Sequence, residues 1–133
     1  LEIIKPKYML LGKKDFQQLY LIKKHIEKNK IPTIVIPCKT VRNKNGTALS
    51  SRNNNLKKDE LIKLAKIIKK IKKSKKSINK SKILKILNEM SVKKVDYVEF
   101  LNLNSLKTPV NTKTKFNIFV ALYIGKTRLI DNF

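Results

Sequence analysis

Tyr8-Met9-Leu10-Leu11-Gly12-Lys13-Lys14-Asp15-Phe16-Gln17-Gln18-Leu19 opens the stretch that decides the fold, and Thr33-Ile34-Val35-Ile36-Pro37 closes it. Tyr8 to Leu11 is a short apolar run ended by Gly12, the pattern of a buried strand that stops at a turn where backbone can approach a ligand. From Asp15 to Asn29, Leu19, Ile22 and Ile26 recur at helical spacing with Phe16 alongside, and Pro32 marks the stop. Thr33 to Pro37 is a second strand-like, β-branched run. Strand, helix and strand in about thirty residues is the βαβ unit, which builds a parallel sheet covered by helices. The reading is therefore the end of an α/β domain.

Beyond Thr40 the composition changes. Asn43-Lys44-Asn45-Gly46 carries turn chemistry, and a polar, asparagine-rich stretch runs on to Asn55. The boundary is placed here, giving segments 1–40 and 41–133. Between Lys57 and Lys82 stand 12 lysines in 26 residues, yet Leu61, Leu64, Ile68 and Ile71 keep one apolar stripe, which predicts an amphipathic helix. A shorter helix is expected from Lys80 to about Glu89, with Ile83, Ile86, Leu87 and Met90 inward. Strands are expected over Val95–Leu101, Asn117–Ile124 and Thr127–Ile130. Alternation leaves the orientation of the first open, whereas Gly125-Lys126 predicts a tight hairpin between the other two. The second segment reads as a small α+β domain with a largely antiparallel sheet.

At 133 residues the chain suits one domain or two small pieces, and 41% hydrophobic content is too high for a wholly disordered basic tail. The net charge is +23, but only Arg42, Arg52 and Arg128 are arginines, so 29 of the 32 basic residues are lysine. Lysine, isoleucine and asparagine make up 59 of 133 residues, a bias expected of an A+T-rich coding sequence. One cysteine, Cys38, excludes an internal disulfide framework, and one histidine, His25, excludes a paired-histidine metal site. No apolar run approaches the roughly 20 residues of a membrane-spanning helix, and Leu1 to Pro6 is no signal peptide. A soluble cytoplasmic protein is expected. Leu1 in place of methionine suggests that the chain begins inside a longer reading frame.

Two constellations carry possible chemistry. In the first, Gly12, Lys13, Lys14, Asp15 and Gln18 lie where a strand opens into a helix. A lysine in a first helical turn opposes the helix dipole, so Lys14 there favours an anionic ligand such as phosphate near the same amides. At i,i+3 and i,i+4 spacing, Lys14, Asp15 and Gln18 would share one helical face. In the second, Leu49-Ser50-Ser51-Arg52-Asn53 follows the Gly46 turn, and two hydroxyls with a planar guanidinium suit phosphoryl oxygens. The bland alternatives are a solvated helix start and an ordinary polar loop. His25 reads as a surface side chain and Cys38 as a small buried hydrophobe. Tyr97, Phe100, Phe116 and Phe119 read as core, while Asp131 and Asn132 receive no catalytic role.

The run G-K-K-D-F-Q-Q-L (Gly12 to Leu19), the pattern through Pro37, Val41, Arg42, Gly46 and A-L-S-S-R-N (Ala48 to Asn53), V-D-Y-V-E (Val95 to Glu99) and G-K-T-R-L-I-D-N (Gly125 to Asn132) together resemble pantothenate synthetase, in order and across essentially the whole chain. The resemblance is to the C-terminal part of that family. It implies the end of a Rossmann-like nucleotidyltransferase domain followed by the small α+β domain acting as a lid. It also implies ATP-dependent joining of pantoate to β-alanine through pantoyl adenylate, with release of pyrophosphate and AMP. By position, Gly12, Lys13, Lys14, Asp15, Val41, Leu49, Ser50, Ser51 and Arg52 would meet ATP. Lys14 would lie near phosphate, Asp15 near ribose and Val41's backbone near adenine, and Gln18 would hold pantoate. Lys14, Ser50, Ser51 and Arg52 would carry the catalytic charge.

The resemblance implies Mg2+ as well, with none of its ligands in this chain, and a homodimer of the full-length enzyme. Lys13 stands where the family usually has glutamate, Leu11 where it has phenylalanine, and Lys57 where it tends to have a helix-capping Ser or Thr. The family's N-terminal half has no counterpart here, so the chain alone is expected to be inactive. The competing class is a basic nucleic-acid-binding protein using the lysine-rich helix over 57–82. No Phe, Tyr or Trp occurs between Tyr20 and Tyr97, so that region lacks a base-stacking platform, and no specific nucleic acid is expected as partner.

Overall fold

In the computed structural model, which describes residue 1 and residues 3–133, β1 (Tyr8–Gly12) and β2 (Ile34–Cys38) pair in parallel, joined by α1 (Phe16–Lys28). The Thr33 hydroxyl donates to the Pro6 carbonyl at 2.8 Å and the Ile34 N–H to the Lys7 carbonyl at 2.9 Å, so the two strand entries are tied together. Leu19 and Ile26 bury the inner stripe of α1. The helix ends in a Schellman motif ahead of Pro32. Ile31 N–H returns to Ile26 O at 3.1 Å and Lys30 N–H to Glu27 O at 3.3 Å, with Lys30 at φ +50°. The register sets Tyr8 beside Ile34 and Leu10 beside Ile36 on one face, where all four are exposed, at 50, 55, 66 and 41%. An apolar face left open is unusual for a parallel sheet, which is normally covered on both sides.

The chain divides into two compact units, Leu1–Thr40 and Val41–Phe133. In the second, α2 (Lys58–Lys73) and α3 (Lys80–Glu89) pack with an antiparallel sheet of order β3 (Val95–Asn102), β4 (Phe116–Ile124), β5 (Thr127–Asn132). The expected stripe is in place, since Leu64, Ile67, Ile68 and Ile71 of α2 join Ile83 and Leu87 of α3 against Ile118, Val120, Leu122 and Ile124. Lysines take the outer face. The lysine run is not one helix, however. α2 stops at Lys73, and a 3-10 turn over Ser74–Lys76 precedes α3, whose start is capped by Asn79 Oδ1 accepting from Lys82 N–H at 2.8 Å.

At the start of α2 the Lys57 N–H donates to Glu60 Oε2 at 2.9 Å. A lysine side chain has no acceptor, so the reciprocal half of a capping box is lost. Gly125 forms the β4–β5 turn at φ +58°, and a Cβ there would collide with Glu60 Oε1. The orientation that alternation left open in β3 is settled by a bulge. Register shifts between Val95 and Tyr97, which throws Asp96 outward to meet Arg128 Nε at 2.6 Å while Val98 and Phe100 turn into the core. Phe116 and Phe119 are also buried, and Tyr97 is half-buried. Among the described residues no helix is long and apolar enough to cross a membrane.

Candidate functional site

In the first unit Gly12 closes β1 and a tight 3-10 turn, Lys13–Asp15, follows before α1 begins at Phe16. Lys14 therefore precedes the α-helix instead of standing in its first turn. The single helical face expected for Lys14, Asp15 and Gln18 does not form, because Asp15 at ψ 54° breaks the helical period between them. Gly12 has ordinary extended dihedrals, φ −69° and ψ 132°, and a Cβ there would meet nothing within 4 Å. Nothing in the fold demands glycine at that point. Asp15 occupies the N-cap position of α1 yet makes no capping bond, although aspartate caps well. Lys14 is half-buried, and Gly12, Lys13, Asp15 and Gln18 are exposed.

His25 is exposed as expected, its ring facing Asn29 Nδ2 at 3.3 Å. Cys38 is half-buried, not fully buried, because β2 sits at the edge of a two-stranded sheet.

In the second unit the residues after Val41 form a small ribbon. Arg42 bridges Ala48, Leu49 N–H donates to the Val41 carbonyl at 2.9 Å, and Gly46 turns the chain at φ +83°. Asn43 Oδ1 accepts from the N–H groups of Asn45 and Thr47 at 3.1 and 3.0 Å. Arg42 anchors the ribbon to the last strand. Its Nη1 and Nη2 meet Asp131 Oδ2 and Oδ1 at 2.7 and 2.8 Å, and the same nitrogens reach the carbonyls of Gly46 and Asn132, each at 3.0 Å. The guanidinium also lies 5.2 Å from the Phe133 ring centre. Lys72, 5.7 Å from the same ring, has its ammonium pKa pushed down by burial and then by the charge of Arg42.

This anchored ribbon delivers the polar loop. Ser50 caps the 3-10 turn Ser51–Asn55, its Oγ accepting from Arg52 N–H at 3.3 Å, and Asn53 Nδ2 holds the Ala48 carbonyl at 2.9 Å. The Ser50 hydroxyl keeps its proton for a further acceptor. Leu49, Ser51 and Arg52 are exposed, and so is Val41 at 66%. Each constellation is thus assembled within its own unit, Gly12, Lys13, Lys14, Asp15 and Gln18 in the first, Val41 and Leu49 to Arg52 in the second.

Sequence reasoning passed over the Arg42–Asp131 pair, although a signal was present. In a chain that uses lysine for 29 of 32 cations, an arginine marks a place where a planar fork is needed. Arg42 and Arg128 hold Asp131 and Asp96, whereas Arg52 forms no ion pair with a described carboxylate. Among the described residues no three of His, Cys, Asp and Glu gather as a metal site.

A parallel βαβ unit followed by two helices on a three-stranded antiparallel sheet is an α/β architecture shared with solved pantothenate synthetases. The structure from Thermus thermophilus matches with a TM-score of 0.84 at 24% identity over 98% of this chain and 50% of that one, which speaks for the fold. The pantoate-beta-alanine ligase of Francisella tularensis, crystallised with beta-gamma ATP and beta-alanine, matches with a TM-score of 0.78 at 35% identity over 100% of this chain and 45% of that one.

A family model described as pantoate-beta-alanine ligase matches residues 1–133, and the chain belongs to that family. Curated relatives agree. A pantothenate synthetase of Francisella tularensis subsp. novicida is 38% identical over 100% of this chain, and one of Flavobacterium psychrophilum is 34% identical over 98% of it. The chain spans 45 and 50% of their lengths respectively.

Proposed function

We propose that this chain supplies the C-terminal half of a pantothenate synthetase, which joins pantoate and β-alanine at the expense of ATP. In the proposed reaction a pantoate carboxylate oxygen attacks the α-phosphorus of ATP and the bond to the β-phosphate bridge breaks, giving pantoyl adenylate and pyrophosphate. The β-alanine amine then attacks the acyl carbon, AMP leaves, and the amine loses a proton. Negative charge grows on the departing pyrophosphate, so the useful groups are fixed cations and N–H or O–H donors.

Lys14, Ser50, Ser51 and Arg52 are assigned that electrostatic role. Gly12, Lys13, Asp15, Val41 and Leu49 complete the ATP contacts, with Asp15 on ribose and Val41 offering backbone to adenine, and Gln18 holds pantoate. Residues 1–40 are the end of the nucleotide-binding domain and 41–133 the lid. Mg2+ accompanies ATP in such chemistry, but the described residues offer it no ligand cluster, and no step is assigned to it.

The observation that carries the reading is the family match across the whole chain. Three local features support it. Arg52 is the one arginine of three without a carboxylate partner among the described residues, Gly12 is a glycine the fold does not need, and Asp15 is an N-cap aspartate that does not cap. The open face of Tyr8, Leu10, Ile34 and Ile36 supports a first unit that is covered by further structure of a larger α/β domain, and a cytoplasmic homodimer is proposed from the family resemblance alone.

The test is pantoate-dependent exchange of pyrophosphate into ATP. A chimera in which residues 1–133 replace the matching segment of the Francisella tularensis enzyme should exchange, and the chain by itself should not. A folded chimera without exchange, or exchange by the isolated chain, contradicts the proposal.

A further inference from the structure

The outer face of α2 and the Asn43–Gly46 turn enclose a groove of about 640 Å3 inside the second unit. That is the size of a small-molecule site. Its floor is apolar, made by Ile62 and Ala65 with the buried Ile68 beneath them at helical spacing, and Ile62 remains 50% exposed. Its rim is cationic on both sides, with Lys66, Lys69 and Lys72 from α2 and Lys44 from the turn. None of the four lysines pairs with a described carboxylate, and Asp131, whose charge acts on Lys72, is already held by both terminal nitrogens of Arg42. The Lys72 ammonium lies 3.6 Å from where a Gly46 Cβ would stand, so helix and turn close on each other at one end of the groove.

Four lysines that line one concavity and have no carboxylate partner among the described residues can each give a multiply charged anion a charge-assisted contact, and its binding releases counterions. Lysine drift accounts for lysines on a solvated face, but not for an apolar floor between two lysine-bearing walls. We infer that this groove binds a small oligophosphate, its phosphate chain on Lys44, Lys66, Lys69 and Lys72 and any ring attached to it on Ile62 and Ala65. It is formed by residues other than those assigned to the ligase reaction, and the inference stands or falls separately from that assignment.

Inorganic tripolyphosphate and ATP are titrated calorimetrically into the full 133-residue chain at about 0.15 M salt. Binding at the groove is expected for both, and tighter binding of ATP than of tripolyphosphate that persists in the Lys14→Ala, Arg52→Ala background would mark the ring as part of the natural ligand. The triple variant Lys66→Gln, Lys69→Gln, Lys72→Gln should weaken binding about tenfold or more, since each lost contact is charge-assisted. The equal-charge control Lys58→Gln, Lys73→Gln, Lys85→Gln should change it less than about twofold. Ala65→Phe, which fills the floor without altering charge, should weaken it as well, and a background of Lys14→Ala with Arg52→Ala should retain tripolyphosphate binding. Circular dichroism confirms folding of each variant.

Four results overturn the inference. They are no binding, equal loss in both triple variants, loss confined to the Lys14/Arg52 background, or a 20-nucleotide uridylate strand that outcompetes tripolyphosphate through the same lysines.

Discussion

Arg42 and Asp131, 89 residues apart, meet through two parallel hydrogen bonds of 2.7 and 2.8 Å, with side chains only 20 and 9% exposed. That fork clamps the first ribbon of the second unit to its last strand, one turn ahead of Ser50, Ser51 and Arg52. Removing one partner strands the other charge in a half-dry site. Arg42→Ala should therefore destabilise by about 3–5 kcal/mol, and Asp131→Ala similarly. In a urea-unfolding double-mutant cycle the pair should show strong coupling, and Arg42→Lys should recover little, because an ammonium cannot serve both carboxylate oxygens and two carbonyls. Additive losses would mean that the fork is not holding the ribbon.

Gly12 separates folding from binding. With φ −69° and open space at its Cβ position, Gly12→Ala should leave stability unchanged or raise it by about 0.4–1 kcal/mol through the unfolded chain. In the chimeric ligase the same change should raise the KM for ATP, because the methyl occupies the approach to the strand end. Thermal unfolding and steady-state kinetics on one preparation check both halves.

Two Schellman motifs end in residues poorly suited to them. Lys30 at φ +50° and Ser91 at φ +53° occupy the left-handed position after α1 and α3, where glycine carries no Cβ penalty. The Ser91 motif is complete, with Val92 N–H returning to Leu87 O at 2.9 Å. Lys30→Gly and Ser91→Gly should each stabilise by about 1 kcal/mol in denaturant unfolding. A loss of stability would show that the side chains matter more than the backbone strain.

Lys75 gives a pH signature. Burial holds its ammonium pKa below 10.5, while Nζ donates to Asn117 Oδ1 at 2.9 Å. The unfolded chain then binds more protons than the folded one between the lowered value and 10.5, so native stability gains as pH rises through that window. Below the folded pKa the cost is present in full. Lys75→Met abolishes the effect, so its stability relative to the native sequence should decline as pH climbs toward 10.5. A difference that stays flat with pH would refute the assignment.

The βαβ order, both later helices and the hairpin were legible because each rests on local chemistry: apolar runs in β1 and β2, a helical stripe in α2, a glycine at residue 125 with positive φ. Three features were not. Lys14 and Asp15 read as the first turn of α1, and not as part of a 3-10 turn, because periodicity cannot distinguish a helix from the tight turn that leads into it. The bulge at Asp96 hid the orientation of β3, since it breaks the alternation on which such a reading depends. The Arg42–Asp131 fork joins residues that no sequence window contains, and its one trace was the choice of arginine in a lysine-rich chain. For the loop at Ser50 to Arg52 the residue types pointed to phosphate, but its shape depends on that fork.

The central claim is that Arg52 and Lys14 act on the phosphates of ATP. Pantoate-dependent ATP–pyrophosphate exchange in the chimeric enzyme tests it most directly, with Arg52→Ala and Lys14→Ala measured beside the parent and thermal unfolding as the control. Exchange should fall about 10²-fold or more in each variant without a matching loss of stability. Exchange at the parental rate in both variants would contradict the account.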